Sequence, residues 1–158
     1  MKVFLVTILA VLTGSAFAMD PDQAFDNLID AMYQGDAEVL MSYLSTESLG
    51  LIDFILVTLK MEPAESIAEM NDGLDLEITV EEIEGWTSFD FVEVFITVQP
   101  FVDGLPPREN LLSSGFELHG DSSMVFVGED SLNVSRILMV KEEDDWKLDQ
   151  RAIGSFMM

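Results

Sequence analysis

The chain reads as one α+β domain, helices first and an antiparallel sheet second. Two observations predict this. Apolar residues recur at helical spacing up to about residue 73, and the period then changes to two. A third concerns size. Residues 1–18 read as a cleavable leader, and removing those 18 from 158 leaves 140, a length suited to a single core.

The leader comes first. Lys2 supplies a positive start, residues 3–12 are apolar except for Thr7, and Ala16-Phe17-Ala18 offers the small-x-small pattern that a signal peptidase cuts. The apolar run is shorter than the roughly 20 residues of a membrane-spanning helix. The expectation is therefore export, periplasmic or secreted, with cleavage after Ala18 and no membrane anchor afterwards. Residues 19–158 form the expected domain.

Asp20-Pro21-Asp22-Gln23 has the form of a helix start, with Asp20 as cap, Pro21 in the first turn and Gln23 placed to complete a capping box. Phe25, Leu28, Ile29 and Met32 then mark one buried face. Gly35 is suited to end that helix, and Asp36 to cap a second carrying Val39, Leu40, Tyr43 and Leu44. Ser45-Thr46-Glu47 opens a third. Residues 49–61 are apolar nearly all round, which predicts burial on several sides. Pro63 starts a shorter helix ending near Asn71-Asp72-Gly73.

Leu74, Leu76, Ile78 and Val80 alternate with polar residues, which predicts a half-buried strand, and the slip at Glu81-Glu82 predicts a bulge. Residues 89–98 are β-branched and aromatic and read as another strand. Pro100 and Pro107 bound a connecting loop that runs to about Asn110. Shorter strands are expected at 115–119, 123–127, 132–141 and 146–150, with 142–145 as the last hairpin turn.

Composition narrows the chemistry. The leader holds one of the seven basic residues and none of the 30 acidic ones, so its loss takes the net charge from −23 to −24. Such a charge repels nucleic acid and anionic membranes. There is no cysteine, hence no disulfide and no thiolate metal site, and 49% apolar residues suffice for a packed core. No cofactor is expected. The methionines fall singly on apolar faces, apart from Met157-Met158, and suit core filling better than metal binding.

Several of these segments together resemble a known superfamily. Gly35-Asp36 between two helices, and a final hairpin Leu138-Met139-Val140-Lys141-Glu142 to Trp146-Lys147-Leu148-Asp149, are similar to the nuclear-transport-factor-2-like proteins. The resemblance implies a curved antiparallel sheet wrapped round N-terminal helices as a cone, often with an internal pocket. It also brings ketosteroid-isomerase-like relatives into view, which use a tyrosine and two aspartates. Seven positions before the Gly-Asp turn, where those enzymes have the tyrosine, this chain has Leu28, which cannot donate a hydrogen bond to an oxyanion. Asp53 falls roughly where their basic aspartate lies, without its surrounding motif.

The remaining candidates are few. His119, the one histidine, precedes Gly120-Asp121; with Asp121 or Asp53 it could do acid–base work, or it is a turn residue facing water. Glu142-Glu143-Asp144-Asp145 lacks the alternating spacing and glycine of a calcium loop and reads as a solvated hairpin tip, so no metal site is assigned. Arg108, in the Pro-rich connector, is a candidate loop residue at a pocket mouth. Phe54, Phe91, Phe95 and Trp146 are candidate pocket lining. The leading expectation is a non-enzymatic exported domain binding a small apolar ligand or an envelope or secreted protein. An isomerase or dehydratase using His119 is the first alternative, and a self-associating module, such as a homodimer through the sheet face, the second.

Overall fold

A proline at the first turn and a glycine just past the last bracket the first helix, α1 (Pro21–Gln34). This computed structural model describes residues 19–128 and 134–149; the leader and its cleavage site lie outside them. Asp20 occupies the cap position but makes no side-chain cap bond, and Asp22 accepts instead from the Gln23 N–H at 2.9 Å. Gly35 sits left-handed at φ 67°, and the Asp36 N–H reaches back to the Ala31 carbonyl at 2.9 Å. Asp36 Oδ1 then caps α2 (Ala37–Ser42) by accepting from the Val39 N–H at 3.0 Å.

Ser45 opens α3 (Thr46–Met61), its hydroxyl accepting from the Ser48 N–H. The expectation of burial on several sides fails. Ser48 and Leu56 are buried, and Leu49, Ile52, Ile55 and Leu59 rest half-buried against the core, but the opposite face is open to solvent. Helix α4 (Pro63–Leu74) ends at Asp75 in the left-handed region.

The first two stretches expected as strands are not strands. In residues 74–79 burial does alternate: Leu74, Leu76 and Ile78 are half-buried, whereas Asp75, Glu77 and Thr79 are exposed; Val80, expected on the inner face, is exposed too. No strand pairs with them, because the Asn71 side chain takes both backbone groups of Ile78 at 2.9 Å and stands in for a ladder partner. The expected bulge at Glu81-Glu82 is a helix start. Thr79 and Glu82 form a reciprocal capping box that opens α5 (Val80–Gly85). Residues 89–97 fall in α6 (Ser88–Thr97), with Val98 as its extended C-cap, and the helix is opened by a second box between Thr87 and Asp90. Phe91, Val92 and Ile96 are its buried face, a helical spacing that overrides the β preference of the residue types. The Pro-rich connector folds as α7 (Gln99–Gly104) and a 3-10 turn at Arg108–Leu111.

The sheet follows as expected, with β1 (Ser113–His119), β2 (Ser122–Val127), β3 (Ser135–Glu142) and β4 (Asp145–Leu148) antiparallel in the order β1-β2-β3-β4. Gly120 at φ 66° turns the first hairpin. Met139 pairs with Leu148 and Lys141 with Trp146, so Trp146 is buried, at 8% exposure. The architecture is thus α+β: among the described residues, seven α-helices and then an open four-stranded antiparallel sheet. Its inner face, Ser123, Val125, Val127, Ile137, Met139, Trp146 and Leu148, joins Phe25, Leu28 and Ile29 of α1 in one core. Leu148 locks the last strand to the helices. Its N–H donates to the Tyr43 carbonyl at 2.7 Å, and its carbonyl accepts from the Ser45 N–H at 3.0 Å and the Ser48 hydroxyl at 2.7 Å.

Candidate functional site

The open face of α3 carries Phe54, Val57 and Met61 at spacings of three and four, 68%, 57% and 76% exposed. At 100° per residue they lie within about 60° of one another, one ridge along the helix. Gly50, a turn earlier, extends the line as a flat step: a β-carbon there would meet nothing within 4 Å. The ridge has a fixed setting. Asp53, beside it, accepts from the Ser88 hydroxyl at the start of α6, and the Lys60 ammonium donates to the Trp86 carbonyl at 2.6 Å. Phe89, next to Ser88, is exposed as well. Three large apolar side chains left in water on one helix face form the kind of patch that marks an interaction site.

The aromatic residues named as pocket lining do not meet in a pocket. Phe54 lies on the outer face of α3, whereas Phe91 and Trp146 are buried in the core. Phe95 packs on Phe91 with ring centroids 4.6 Å apart. The most enclosed side chains, Phe25, Ile29, Ile83, Ile137 and Met139, belong to the same cluster. Buried polar groups accompany them with partners, such as the Ser45–Ser48 hydroxyl pair at 2.9 Å.

Arg108 is a fastening. Its guanidinium pairs with Asp30 of α1, and that hydrogen bond holds its pKa above the ordinary arginine value. Beside it the Tyr33 hydroxyl donates to the Pro106 carbonyl. Burial, and then the charge of Glu109, raise the Tyr33 pKa. Asp26 accepts from both the N–H and the hydroxyl of Ser113 at 2.9 Å, so three residue pairs strap the connector and the start of β1 to α1.

His119 sits at the β1–β2 turn with its side chain 55% exposed, its Nε2 3.6 Å from Glu117 Oε1. Asp121 offers its backbone carbonyl to the Lys141 N–H at 2.8 Å. Asp53, on α3, is engaged by Ser88, so His119 and Asp53 have separate partners on separate elements.

At the same end of the sheet, toward its β4 edge, an open groove of about 570 Å³ lies between the β3–β4 turn and the α2–α3 junction. The Glu142 carboxylate accepts there from the Thr46 N–H at 2.9 Å and the Thr46 hydroxyl at 2.8 Å. Lys147 donates to the Ser42 carbonyl at 2.6 Å. These bonds close the junction and explain the groove's polarity. Among the described residues no group of three or more His, Cys, Asp or Glu side chains is placed to hold a metal ion, and no helix is long and apolar enough to cross a membrane.

The α3 ridge escaped sequence reading for a physical reason. A helix that is apolar all round has no preferred face, so periodicity could not say which side would be left open. No protein-family model, curated protein or solved structure matches the chain.

Proposed function

We propose that this chain is an exported, non-enzymatic interaction domain that holds a partner protein on the outer face of α3. One observation carries the reading: Phe54, Val57 and Met61 stand in water on a helix whose other side rests on a filled core. Leaving such side chains exposed forgoes about 1.5–3 kcal/mol of transfer free energy each, which a partner would recover. The leader at residues 1–18 supports delivery outside the cytoplasm, where an acidic domain without cysteine needs no redox protection. The order of helices and sheet, the Gly35-Asp36 turn and the final hairpin support a nuclear-transport-factor-2-like cone as the architecture behind it.

The packed positions of Phe91 and Trp146 weigh against a small apolar ligand inside the core. An enzyme using His119 is favoured less by its solvent-facing ring.

The test is site-specific photocrosslinking in exporting cells. A crosslinker at position 57 should join the protein to a distinct partner, whereas one at position 39, exposed on α2, should not. N-terminal sequencing of the recovered protein should begin at Met19. Equal or absent crosslinking at both positions would overturn the reading, and a chain retaining Met1 would overturn its export.

A further inference from the structure

We infer that the segment seated on α3 is a cationic amphipathic helix, with apolar side chains along Phe54, Val57 and Met61 and lysines or arginines on its flanks. The inference rests on the reading of α3 as a docking face and names the chemistry of its occupant.

Shape comes first. From Gly50 to Met61 the ridge covers about 16 Å at 1.5 Å per residue, three turns long and one side chain wide. Such a ridge matches the groove beside the ridges of another helix, and two helices pack at about 8–10 Å between axes when a small residue lets them approach. Gly50 supplies that step, with open space where its β-carbon would be. An extended peptide would need unpaired backbone N–H and C=O groups to bind against, and the middle of a helix has none to offer.

Charge selects the partner. Glu47 and Asp53 on α3 and Glu62 and Glu65 just beyond it are all exposed around the ridge. Lys60, the one cation of α3, is turned to the Trp86 carbonyl at 2.6 Å. The fully exposed charges bordering the ridge are therefore acidic, and Lys60 is held half-buried to one side. A second copy of this chain, itself at −23, is repelled, and so is an anionic lipid surface. A cationic helix without an apolar face would leave the ridge wet, and an apolar helix without cations would desolvate carboxylates with nothing in return. Only a segment with both properties satisfies both halves of the surface.

The experiment uses protein purified from the exporting cells and a fluorescein-labelled 18-residue peptide with leucines on one helical face and lysines on the other. Anisotropy should show binding that weakens about tenfold or more as sodium chloride rises from 50 to 300 mM, as screening shortens the reach of the carboxylates. Phe54→Ser with Met61→Ser should weaken it at least about tenfold, whereas Leu118→Ser, an exposed site on β1, should not. Glu62→Gln with Glu65→Gln leaves the apolar ridge intact and should reduce the salt dependence; this pair decides the matter if the serine variant fails to fold. A same-composition peptide with its leucines scattered, and a glutamate-for-lysine peptide, should each bind at least about tenfold more weakly. Equal binding of the scattered peptide, indifference to the ridge substitutions, or concentration-dependent self-association through α3 would overturn the inference. So would no binding of the amphipathic peptide at all. Crosslinking at position 57 without peptide binding removes this inference and leaves the docking face; failure of both removes both.

Discussion

Glu142 and Thr46, 96 residues apart, are joined by a carboxylate that accepts from both the backbone N–H and the hydroxyl of the same threonine, at 2.9 and 2.8 Å. The contact makes the turn of the last hairpin a cap for the start of α3. Hydrogen bonds to a charged acceptor contribute more than neutral ones, and a partly solvated example is worth about 1–1.5 kcal/mol. Glu142→Ala should lower stability by about that much in urea unfolding. Thr46→Val, which keeps the backbone N–H bond, should lower it by less, and the double variant by less than the sum. Strict additivity would mean that the two residues act independently and that the latch is a contact without energy.

Gly35 is left-handed at φ 67°, and a β-carbon there would lie 3.3 Å from Thr97 Cγ2 of α6. Gly120 shares that backbone state at φ 66° but has open space around it. Alanine at either position should cost about 1–2 kcal/mol for the backbone alone. Gly35→Ala should cost more, because the Thr97 methyl must also move. Chemical or thermal unfolding of the two variants under one condition gives the comparison. An equal loss would mean that α6 yields freely at this contact.

Two carboxylates give the molecule an acid limit. The Thr79 hydroxyl holds the Glu82 pKa below its ordinary value, and the Thr87 hydroxyl does the same for Asp90, with the backbone N–H bonds adding to each. Groups whose pKa is lowered by folding stabilise the fold above the unfolded value, near pH 4, and lose that contribution as the pH falls through the folded value. Glu82→Gln with Asp90→Asn should therefore melt below the parent at neutral pH, and the gap should close as the pH drops from about 4 toward 2. A gap independent of pH would contradict the ionised capping boxes.

Salt should stabilise the protein. The net charge is −23, and the described ion pairs, Arg108–Asp30 and Lys147–Asp145, compensate little of it. The Debye length falls from about 30 Å at 0.01 M to about 10 Å at 0.1 M, which removes repulsion between distant carboxylates. The melting temperature should rise over that range. A flat or falling trend would show that the acids are balanced locally.

Sequence reading succeeded where one side chain or one pairing decides local structure. Gly35-Asp36, Ser45 and the hairpin that buries Trp146 were legible because a left-handed turn, a cap and a period of two each leave a direct trace. Residues 74–78 misled because alternation reports which side chains face inward, not whether another strand lies alongside; Asn71 took that place. Phe91, Val92 and Ile96 misled because aromatic and branched residues were weighed by type, although their spacing and the Thr87–Asp90 box were helical. Of the candidate site residues, Phe54 was read as pocket lining but lies on the exposed face of α3, since an all-apolar helix conceals its own orientation. Arg108 lies in the connector, where the tie to Asp30 joins residues 78 positions apart, a relationship that no local pattern encodes.

The bonds at Leu148 also set an order of events. Ser48, at the start of α3, finds its buried acceptor in a carbonyl 100 residues later in the chain. Translation at about 5–20 residues per second puts roughly 5–20 s between the emergence of the two. Through that interval the α2–α3 junction has no strand to close upon, and the inner faces of the helices wait for a sheet that is made last. Until residue 148 has been made, the bonds that join the last strand to the α2–α3 junction cannot form. The link that completes the fold is thus also the timer that postpones it.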